Sequence, residues 1–572
     1  MSPLWRSRDQ EIAPAEGPFP PLIGKILASR GFAASEQVDK LLFPKLTELK
    51  EPLLLTGMDK AVERLGRAAL NKEKICIYAD FDLDGTSGLA LLKTGMLALG
   101  FADVIHYQPK RLSQGYGFHA DVVEELHKQG VTLIVTVDVG ITANPAVEKA
   151  QSLGIDVILT DHHLPGPVLP PAYVVVNPNQ DSDHSGLGYL CGAGVAFYLL
   201  RALKRYFFDH PQLPKNNFDL KDILDFFTIA TLTDMVPLVD DNRVLVKHGL
   251  LKLAETKRPG LRALLIELGL DNRALTSQDV AIRFAPKLNA LSRMESGILP
   301  IDLFLVEDAG KASEMVRQVL KNNSTRVQLQ SDAETEAMEL LKDWNRENFV
   351  FVVSKNFHRG VVGLIATKLS QVFNQPAFVG SWGEDGVIVG SARLPQGQEA
   401  CLVEALTSAS DFLSRFGGHS AASGFELHED KLTAVMDCLE KHFYELHEKP
   451  KAVEVFYDVE AKLADVGTPL MKWYDFVGPF GTGFTTPLIH FHRVMLHSKK
   501  SLKGGHWRLK LLDGDGGPSS QEALLFSPSP RQVAVLESES VYLDVLGELQ
   551  WNYFAGQKSI QILVRDLRPS DN

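Results

Sequence analysis

The sequence predicts an α/β protein: a parallel-sheet domain, a long connecting helix, a second α/β domain and a terminal β-barrel. Three observations carry this reading. Short, wholly apolar runs alternate with helix-period segments in the first part of the chain; neither Gly nor Pro occurs between Lys311 and Asn348; and beyond residue 453 the pattern turns to short alternating strands broken by Gly, Asp, Ser and Pro.

In the first part, Ile75-Cys76-Ile77-Tyr78 precedes an Asp/Gly loop and then a helical stretch, 87–99, closed by Gly100. The same succession returns at 104–107, 133–137 and 157–160, with helix-like segments at 121–128 and 145–153. Strands that are apolar throughout belong to a parallel sheet covered on both faces. Such sheets bind ligands at the carboxyl ends of their strands. From Lys311 on, Ala312, Met315, Val316, Val319, Leu320, Val327, Ala333, Ala337 and Leu341 recur mostly at helical spacing. A continuous helix there would be roughly 50 Å long at about 1.5 Å per residue, enough to join two lobes. Phe349-Val350-Phe351-Val352-Val353 then opens the second α/β unit. In the last part, His506-Trp507-Arg508-Leu509-Lys510-Leu511 and Ile560-Gln561-Ile562-Leu563-Val564 read as strands of a small barrel. The divisions are an N-terminal segment at 1–50, the parallel-sheet domain at 51–308, the connecting helix at 309–345, the second domain at 346–448 and the barrel at 453–570.

A length of 572 residues exceeds what one core supports, so two to four domains are expected. No apolar run approaches the roughly 18–20 residues that span a bilayer, and Met1-Ser2-Pro3-Leu4-Trp5-Arg6 leads into charge. A cytosolic protein with no membrane partner is expected. Its four cysteines (Cys76, Cys191, Cys401, Cys438) lie far apart, against a zinc ribbon or a disulfide framework. The net charge of −12 argues against a uniformly basic nucleic-acid-binding surface, though not against a local basic groove.

The acidic residues gather where the predicted sheet would bind. Asp80-Phe81-Asp82-Leu83-Asp84 follows the first strand, Asp138 the third and Asp161-His162-His163 the fourth. Asp82 and Asp84 would leave on one side if strand geometry persisted past Tyr78. Carboxylates mixed with imidazole suit Mn²⁺ or Mg²⁺, whereas structural zinc prefers thiolates. Two ions about 3.5–4 Å apart could activate water and stabilise both oxygens of a phosphodiester displacement. A lone Asp behind a strand is ordinarily a helix cap or turn former, and a His pair is ordinarily structural. Recurrence at successive strand ends favours a metal centre, with Asp80 either a ligand or a residue behind one.

These residues also carry a resemblance. Asp80-Phe81-Asp82-Leu83-Asp84-Gly85-Thr86-Ser87, Asp138-Val139-Gly140, Asp161-His162-His163 and Thr233-Asp234-Met235-Val236-Pro237-Leu238 resemble, in order, the four motifs of the DHH phosphoesterases. Within them the chain is similar to the RecJ-type members, bacterial 5′→3′ exonucleases specific for single-stranded DNA. Gly115-Tyr116-Gly117, Asn177-Pro178, Cys191-Gly192-Ala193-Gly194-Val195-Ala196 and Ala285-Pro286-Lys287-Leu288-Asn289-Ala290-Leu291-Ser292-Arg293 are similar as well. His358-Arg359-Gly360-Val361-Val362-Gly363, Ser391-Ala392-Arg393 and Gly417-Gly418-His419-Ser420-Ala421-Ala422-Ser423-Gly424 resemble the associated DHHA1 domain. The similarity runs from about residue 50 to the C-terminus.

The resemblance implies a DHH domain, a DHHA1-like substrate-binding domain and an OB-like barrel. It implies that Asp82, Asp84, Asp138, His162 and Asp234 hold two ions, Mn²⁺ or Mg²⁺, that His163 lies either beside the scissile phosphate or behind the metal ligands, and that Asp161 belongs with it to the catalytic set. It further implies hydrolysis of single strands to mononucleotides in DNA repair and recombination, with a single-strand-binding protein and a helicase as partners. Three positions depart from the RecJ pattern: Val139 and Phe484 stand where Asn is usual, and Thr233 where Ala is usual.

For substrate grip, Gly417-Gly418 would let backbone N–H groups approach an anion, and His419 could donate to it. Arg293 and Arg393 are candidate phosphate clamps, and the resemblance adds Asn289 to the substrate-binding set. In the barrel, Trp507, Trp551, Tyr553 and Phe554 interleave with Lys499, Lys500, Lys503, Arg508 and Lys510, a pattern suited to stacking single-stranded bases. Two alternatives stay open: a small-substrate DHH enzyme, against which the barrel argues, and an inactive scaffold, against which the intact acidic set argues.

Overall fold

The computed structural model describes residues 3–8, 13–111, 113–294, 297–346, 348–395, 398, 400–445, 454–514, 517–554 and 557–570. Two compact units divide the chain: one comprises 51–236 and 248–451, the other 1–50, 237–247 and 452–572.

In the first unit, five parallel strands lie in the order Asp103–Tyr107, Lys74–Ala79, Leu133–Val137, Asp156–Thr160, Val174–Val176. Ile75, Cys76, Ile77, Tyr78 and Ala79 are wholly buried, as a strand covered on both faces requires. The helix Leu83–Leu99 starts four residues earlier than its apolar pattern indicates, because Asp82 caps it; it stops at Gly100, whose φ of 98° is left-handed. Ala120–Lys128 and Asn144–Ser152 are the remaining expected helices. Val122, Val123, Val147 and Ala150 join Cys76, Ile134 and Val157 in one core cluster.

The long helix is continuous over Ala309–Leu340, capped by Asp308, whose carboxylate accepts from Lys311 N at 2.7 Å. It ends five residues short of the expected 345, where the chain turns and the Trp344 indole donates to the Phe349 carbonyl at 2.8 Å. Ala312, Val316, Val319, Ala333 and Ala337 are buried as the spacing predicts, while Val327 is exposed. The second sheet of this unit runs Arg415–Gly418, Ala422–His428, Val387–Arg393, Ala377–Trp382, Val350–Ser354. Its pairings are antiparallel except the last, which is parallel.

In the second unit, six strands form the barrel, and Ile489–Ser501 pairs with both Trp507–Leu512 and Tyr542–Phe554, bringing the two sides of the sheet together. The N-terminal segment is part of this unit rather than a separate piece. Its helix Pro21–Ser29 buries Ile23, Ile26 and Leu27 in one cluster with Leu470, Met471 and Tyr474. The strand Leu4–Ser7 pairs in parallel with Glu454–Tyr457. The expected span 51–308 is likewise interrupted, since 237–247 groups with the barrel unit. There Arg243 donates to the carbonyl of Pro479 at 2.8 Å and to that of Val477. Phe484 is buried beneath Arg243 and Arg30, their guanidinium carbons 4.2 and 5.0 Å from its ring centroid, so its departure from Asn is absorbed by packing.

Among the described residues no helix is long and apolar enough to cross a membrane. All four cysteines are free, Cys76 and Cys191 buried and the other two half-buried.

Candidate metal and phosphate site

The carboxyl edge of the parallel sheet collects the acidic residues. The N–H of Asp80 bonds to Val137 O, that of Asp138 to Thr160 O and that of Asp161 to Val176 O, each prolonging the ladder by one residue. Asp138 does so at φ 62°, which turns its side chain off the strand and into the site.

Asp82 and Asp84 arrive differently from expectation. The strand ends at Ala79, so alternation along it does not set their directions. Asp82 is the N-cap of the next helix, its Oδ1 accepting from Asp84 N at 2.9 Å and Gly85 N at 3.0 Å. Asp84, in the first turn, accepts from Gly192 N at 2.6 Å and Ala193 N at 2.8 Å, the N-terminus of the helix Gly192–Asp209. Asp82 is therefore a helix cap and a member of the acidic centre at once.

Three triads of donor atoms, each within 4.8 Å, overlap here: Asp80, Asp82 and Asp138; Asp138, His162 and His163; Asp84, His162 and Asp234. His162 Nε2 is central, lying 3.2 Å from Asp138 Oδ1, 3.7 Å from Asp234 Oδ2 and 3.8 Å from Asp84 Oδ2. Asp234 comes from the C-cap of the helix Leu224–Thr233, not from a strand end. Burial, then the neighbouring carboxylates, pushes the Asp84 and Asp138 carboxyls up, and Asp80 and Asp234 up to about 8 each. Asp80 Oδ1 and Asp138 Oδ1 are buried without a hydrogen-bond partner. Crowded anionic oxygens, unpaired in the interior and mixed with imidazole, are a donor set that fits hard divalent cations.

Asp161 is engaged elsewhere. Its Oδ1 accepts from His162 N at 2.8 Å and meets His163 Nδ1 at 2.7 Å, while Oδ2 accepts from Ile141 N at 3.0 Å. Burial raises its pKa, but these hydrogen bonds, His163 first, outweigh that and hold it below the ordinary range. For His163, burial opposes the charge, yet Asp161 lifts the imidazole to about 9. Asn179 and Asn177 donate to the carbonyls of His162 and His163 at 2.5 and 2.9 Å, which explains the Asn177-Pro178 motif as a support for the histidine pair. The other two departures from pattern turn away from the centre. Val139 is buried in the sheet core, and Thr233 Oγ1 donates to the Ile229 carbonyl at 2.8 Å.

The second sheet supplies His419, whose ring lies parallel to that of His163 with centroids 6.1 Å apart. Gly418, at φ 141°, has no room for a Cβ, which would stand 2.5 Å from Ala422 O; at Gly417 the space is open. Arg293, on the helix Ala285–Arg293, donates to Gly360 O at 3.2 Å. A Cβ on Gly360 would lie 2.1 Å from Arg293 O, so that glycine lets the two segments meet. Asn289 lies half-buried one turn before Arg293 on the same helix. Burial pulls the Arg293 guanidinium down to about 9, helped by Arg111 and Arg393, and Arg393 is lowered by burial and by Arg111. Three half-buried guanidinium groups that lower one another's pKa make an arrangement suited to an anion.

Arg111 is absent from the sequence-based set. It stands over Phe81, 5.0 Å from the ring centroid, and its charge reaches Asp80 and Asp82. The signal was available, because Gln108-Pro109-Lys110-Arg111 also follows a strand of the same sheet, Asp103–Tyr107. Gln108 itself donates to Asp80 O at 2.5 Å, and the Tyr116 hydroxyl lies 3.4 Å from His163 Nδ1.

In the barrel unit, Trp551 lines an open pocket with Lys510, Gln521 and Lys558, the last 3.8 Å from the Trp551 ring centroid and absent from the expected cations. Trp507 packs partly against the core, Tyr553 is exposed, and Lys499 is engaged by the Leu536 carbonyl. The side chain of Phe554 lies outside the described residues.

A parallel sheet with its acid–imidazole centre at the carboxyl edge, joined by Arg111 and Arg293 and by Arg393 and His419 of the second sheet region, defines a metal-dependent phosphoesterase of the DHH class. The model of the DHH family, N-terminal domain, matches residues 74–231, and that of the RecJ OB domain matches 457–566. The single-stranded-DNA-specific exonuclease RecJ of Escherichia coli is 31% identical over 99% of both chains. RecJ of Thermus thermophilus in complex with Mn²⁺ superposes with a TM-score of 0.79 at 27% identity, covering 100% of this chain and 80% of that one. The same Thermus protein in complex with Mg²⁺ gives 0.73 at 25%, covering 100% and 79%. The chain belongs to the RecJ family of exonucleases, and its cofactor is Mn²⁺ or Mg²⁺.

Proposed function

We propose that the protein removes nucleotides from the 5′ end of single-stranded DNA by two-metal hydrolysis, within DNA repair and recombination. The overlapping donor triads that share Asp138 and His162 carry this reading. Asp80, Asp82, Asp84, Asp138, His162 and Asp234 would hold the ions. When bound, these supply a water nucleophile at neutral pH and stabilise charge on the attacked phosphate.

The chain's own residues provide the remainder. Asp161 fixes His163 by accepting at Nδ1, which leaves Nε2 to donate to a phosphate oxygen; Asp161 is a positioning residue in this scheme. His419, parallel to His163, offers a second imidazole donor from the other lobe. Arg111, Arg293 and Arg393 grip backbone phosphates, with Asn289 and the Gly417-Gly418 backbone completing the cradle. Trp551, with Lys558 on its face, is a sequence-tolerant stacking platform, which favours long single strands over dinucleotides. Since the substrate is an unwound strand, a helicase and a single-strand-binding protein are the partners we assign.

End-labelled single strands tested from each end with each metal check the proposal. Loss of 5′-labelled mononucleotide with Mn²⁺ or Mg²⁺ is expected, and Asp138→Ala should abolish it while retaining strand binding. Equal hydrolysis of blunt duplex, release from the 3′ end, or undiminished turnover in Asp138→Ala would refute it.

A further inference from the structure

The barrel carries a second histidine–carboxylate cluster, built from His490, His492 and Asp544, with one donor atom of each within 4.8 Å of the others. His490, buried, and His492, exposed, are two apart on the strand Ile489–Ser501, their ring centroids 5.9 Å apart. Asp544 comes from the antiparallel strand Tyr542–Phe554, opposite a register slip between Phe491 and Val494. Arg493 takes up the slip at φ 48° and donates its N–H to Asp544 Oδ1 at 3.0 Å. That bulge aims the carboxylate at both rings.

The distances suit coordination. His492 Nδ1 is 3.0 Å from Asp544 Oδ1, and His490 Nε2 is 3.7 Å from Asp544 Oδ2. Donors about 2.0–2.1 Å from a tetrahedral zinc lie about 3.4 Å from one another, between these two values. The His490 side chain is only 7% exposed, and its Nε2 has no hydrogen-bond partner. Its other nitrogen, Nδ1, lies 3.2 Å from Glu460 Oε1. A carboxylate on the outer nitrogen fixes the Nδ1–H tautomer and turns a lone pair inward, as it does for metal-bound histidines. A lone pair facing a carboxylate is repelled unless a proton or a metal cation lies between them. Arg568, 3.5 Å from Asp544 Oδ2 and 4.2 Å from the Trp5 ring centroid, balances one of the two carboxylates at most.

We infer that His490, His492 and Asp544 bind a transition-metal dication of the zinc type, at a site separate from the acidic centre. Two imidazoles against a single carboxylate, without the further aspartates that make the acidic centre oxygen-rich, favour a zinc-type ion over magnesium. Trp5 stands edge-on to His490 with ring centroids 5.5 Å apart, so the ion would brace the place where the N-terminal strand joins the barrel.

The test measures zinc retained by the full-length chain after desalting in excess Mg²⁺, together with the visible absorption of the Co²⁺-loaded protein. Wild type should keep one zinc more per chain than His492→Ala. His492 is 60% exposed, so its removal spares the fold, and Mn²⁺-dependent hydrolysis should stay within about twofold of wild type. Glu460→Gln should weaken zinc binding by roughly 10- to 100-fold. Asp138→Ala should leave this zinc in place. Equal zinc in wild type and His492→Ala, or a cobalt spectrum indifferent to that substitution, overturns the inference and leaves the cluster an imidazolium–carboxylate network.

Discussion

Asp138 shows how much the centre asks of a single residue. It holds a left-handed backbone at φ 62°, is buried with Oδ1 unpaired, and stands 3.2 Å from His162. Its neighbours are crowded in the same way, and the crowding has a thermodynamic sign. A carboxyl whose pKa is raised from about 4 to about 8, as for Asp80 and Asp234, binds more protons folded than unfolded across that window. The ion-free protein therefore loses stability as pH rises through it. His163, lifted to about 9, adds a contribution of the same sign at the upper end, while His162, which burial lowers, opposes it only at the acid end, below the ordinary imidazole pKa. Bound dications remove the repulsion and stabilise by mass action. Thermal unfolding followed between about pH 6 and pH 8.5 should show Tm falling in chelator. Mn²⁺ should raise Tm more at the alkaline end. A chelated protein whose Tm rises with pH would contradict this assignment of the carboxylates.

At the scale of elements, the sheet and its acidic edge were legible because fully buried strands leave a simple signature. Ile75-Cys76-Ile77-Tyr78 and Leu133-Ile134-Val135-Thr136-Val137 are apolar or neutral throughout, and each is followed closely by an Asp. Helix starts were less legible. The cap at Asp82 hid inside the acidic motif, because capping and metal binding ask for the same residue type. Arg111 escaped because a lone cation after a strand has no pattern of its own until the fold sets it beside Arg293 and Arg393. The interruption at 237–247 escaped because its helix, Asp240–Ala254, reads as one element although its start and end belong to different units. Gly192 is an element-scale requirement that the structure makes explicit. A Cβ there would lie 2.4 Å from Asp138 Cβ and 2.8 Å from Asp138 Oδ1, while its N–H holds Asp84. Gly192→Ala must push the helix Gly192–Asp209 back or displace Asp138, a strain of about 1–3 kcal/mol. Its kcat should fall at least tenfold with little change in single-strand binding. Wild-type kcat in Gly192→Ala would mean that the contact yields without moving the ligands.

For the whole molecule, chain order and folding unit do not coincide. Residues 1–50 and 237–247 complete the barrel unit, so the barrel is not a detachable C-terminal module. Leu22, Ile23, Ile26, Leu27, Val38, Leu41 and Leu42 are buried in the cluster that holds Leu470, Met471, Tyr474 and Val477. Each contributes about 1.5–3 kcal/mol through burial, so removing the barrel exposes on the order of 10 kcal/mol of apolar surface. It also strips Arg243 of its partners at Val477, Gly478 and Pro479, so the hydrogen bonds that anchor the 237–247 segment are lost to water. A chain ending at residue 451 should therefore aggregate or bind hydrophobic dyes, although its acidic centre is intact in sequence. Starting that fragment at residue 51 should relieve only the part that the two N-terminal helices cause. Expressing 1–451 and 51–451 beside the full chain, with light scattering and dye binding, decides the matter. A monomeric 1–451 fragment that binds no more dye than the full chain would show that the N-terminal segment folds without the barrel.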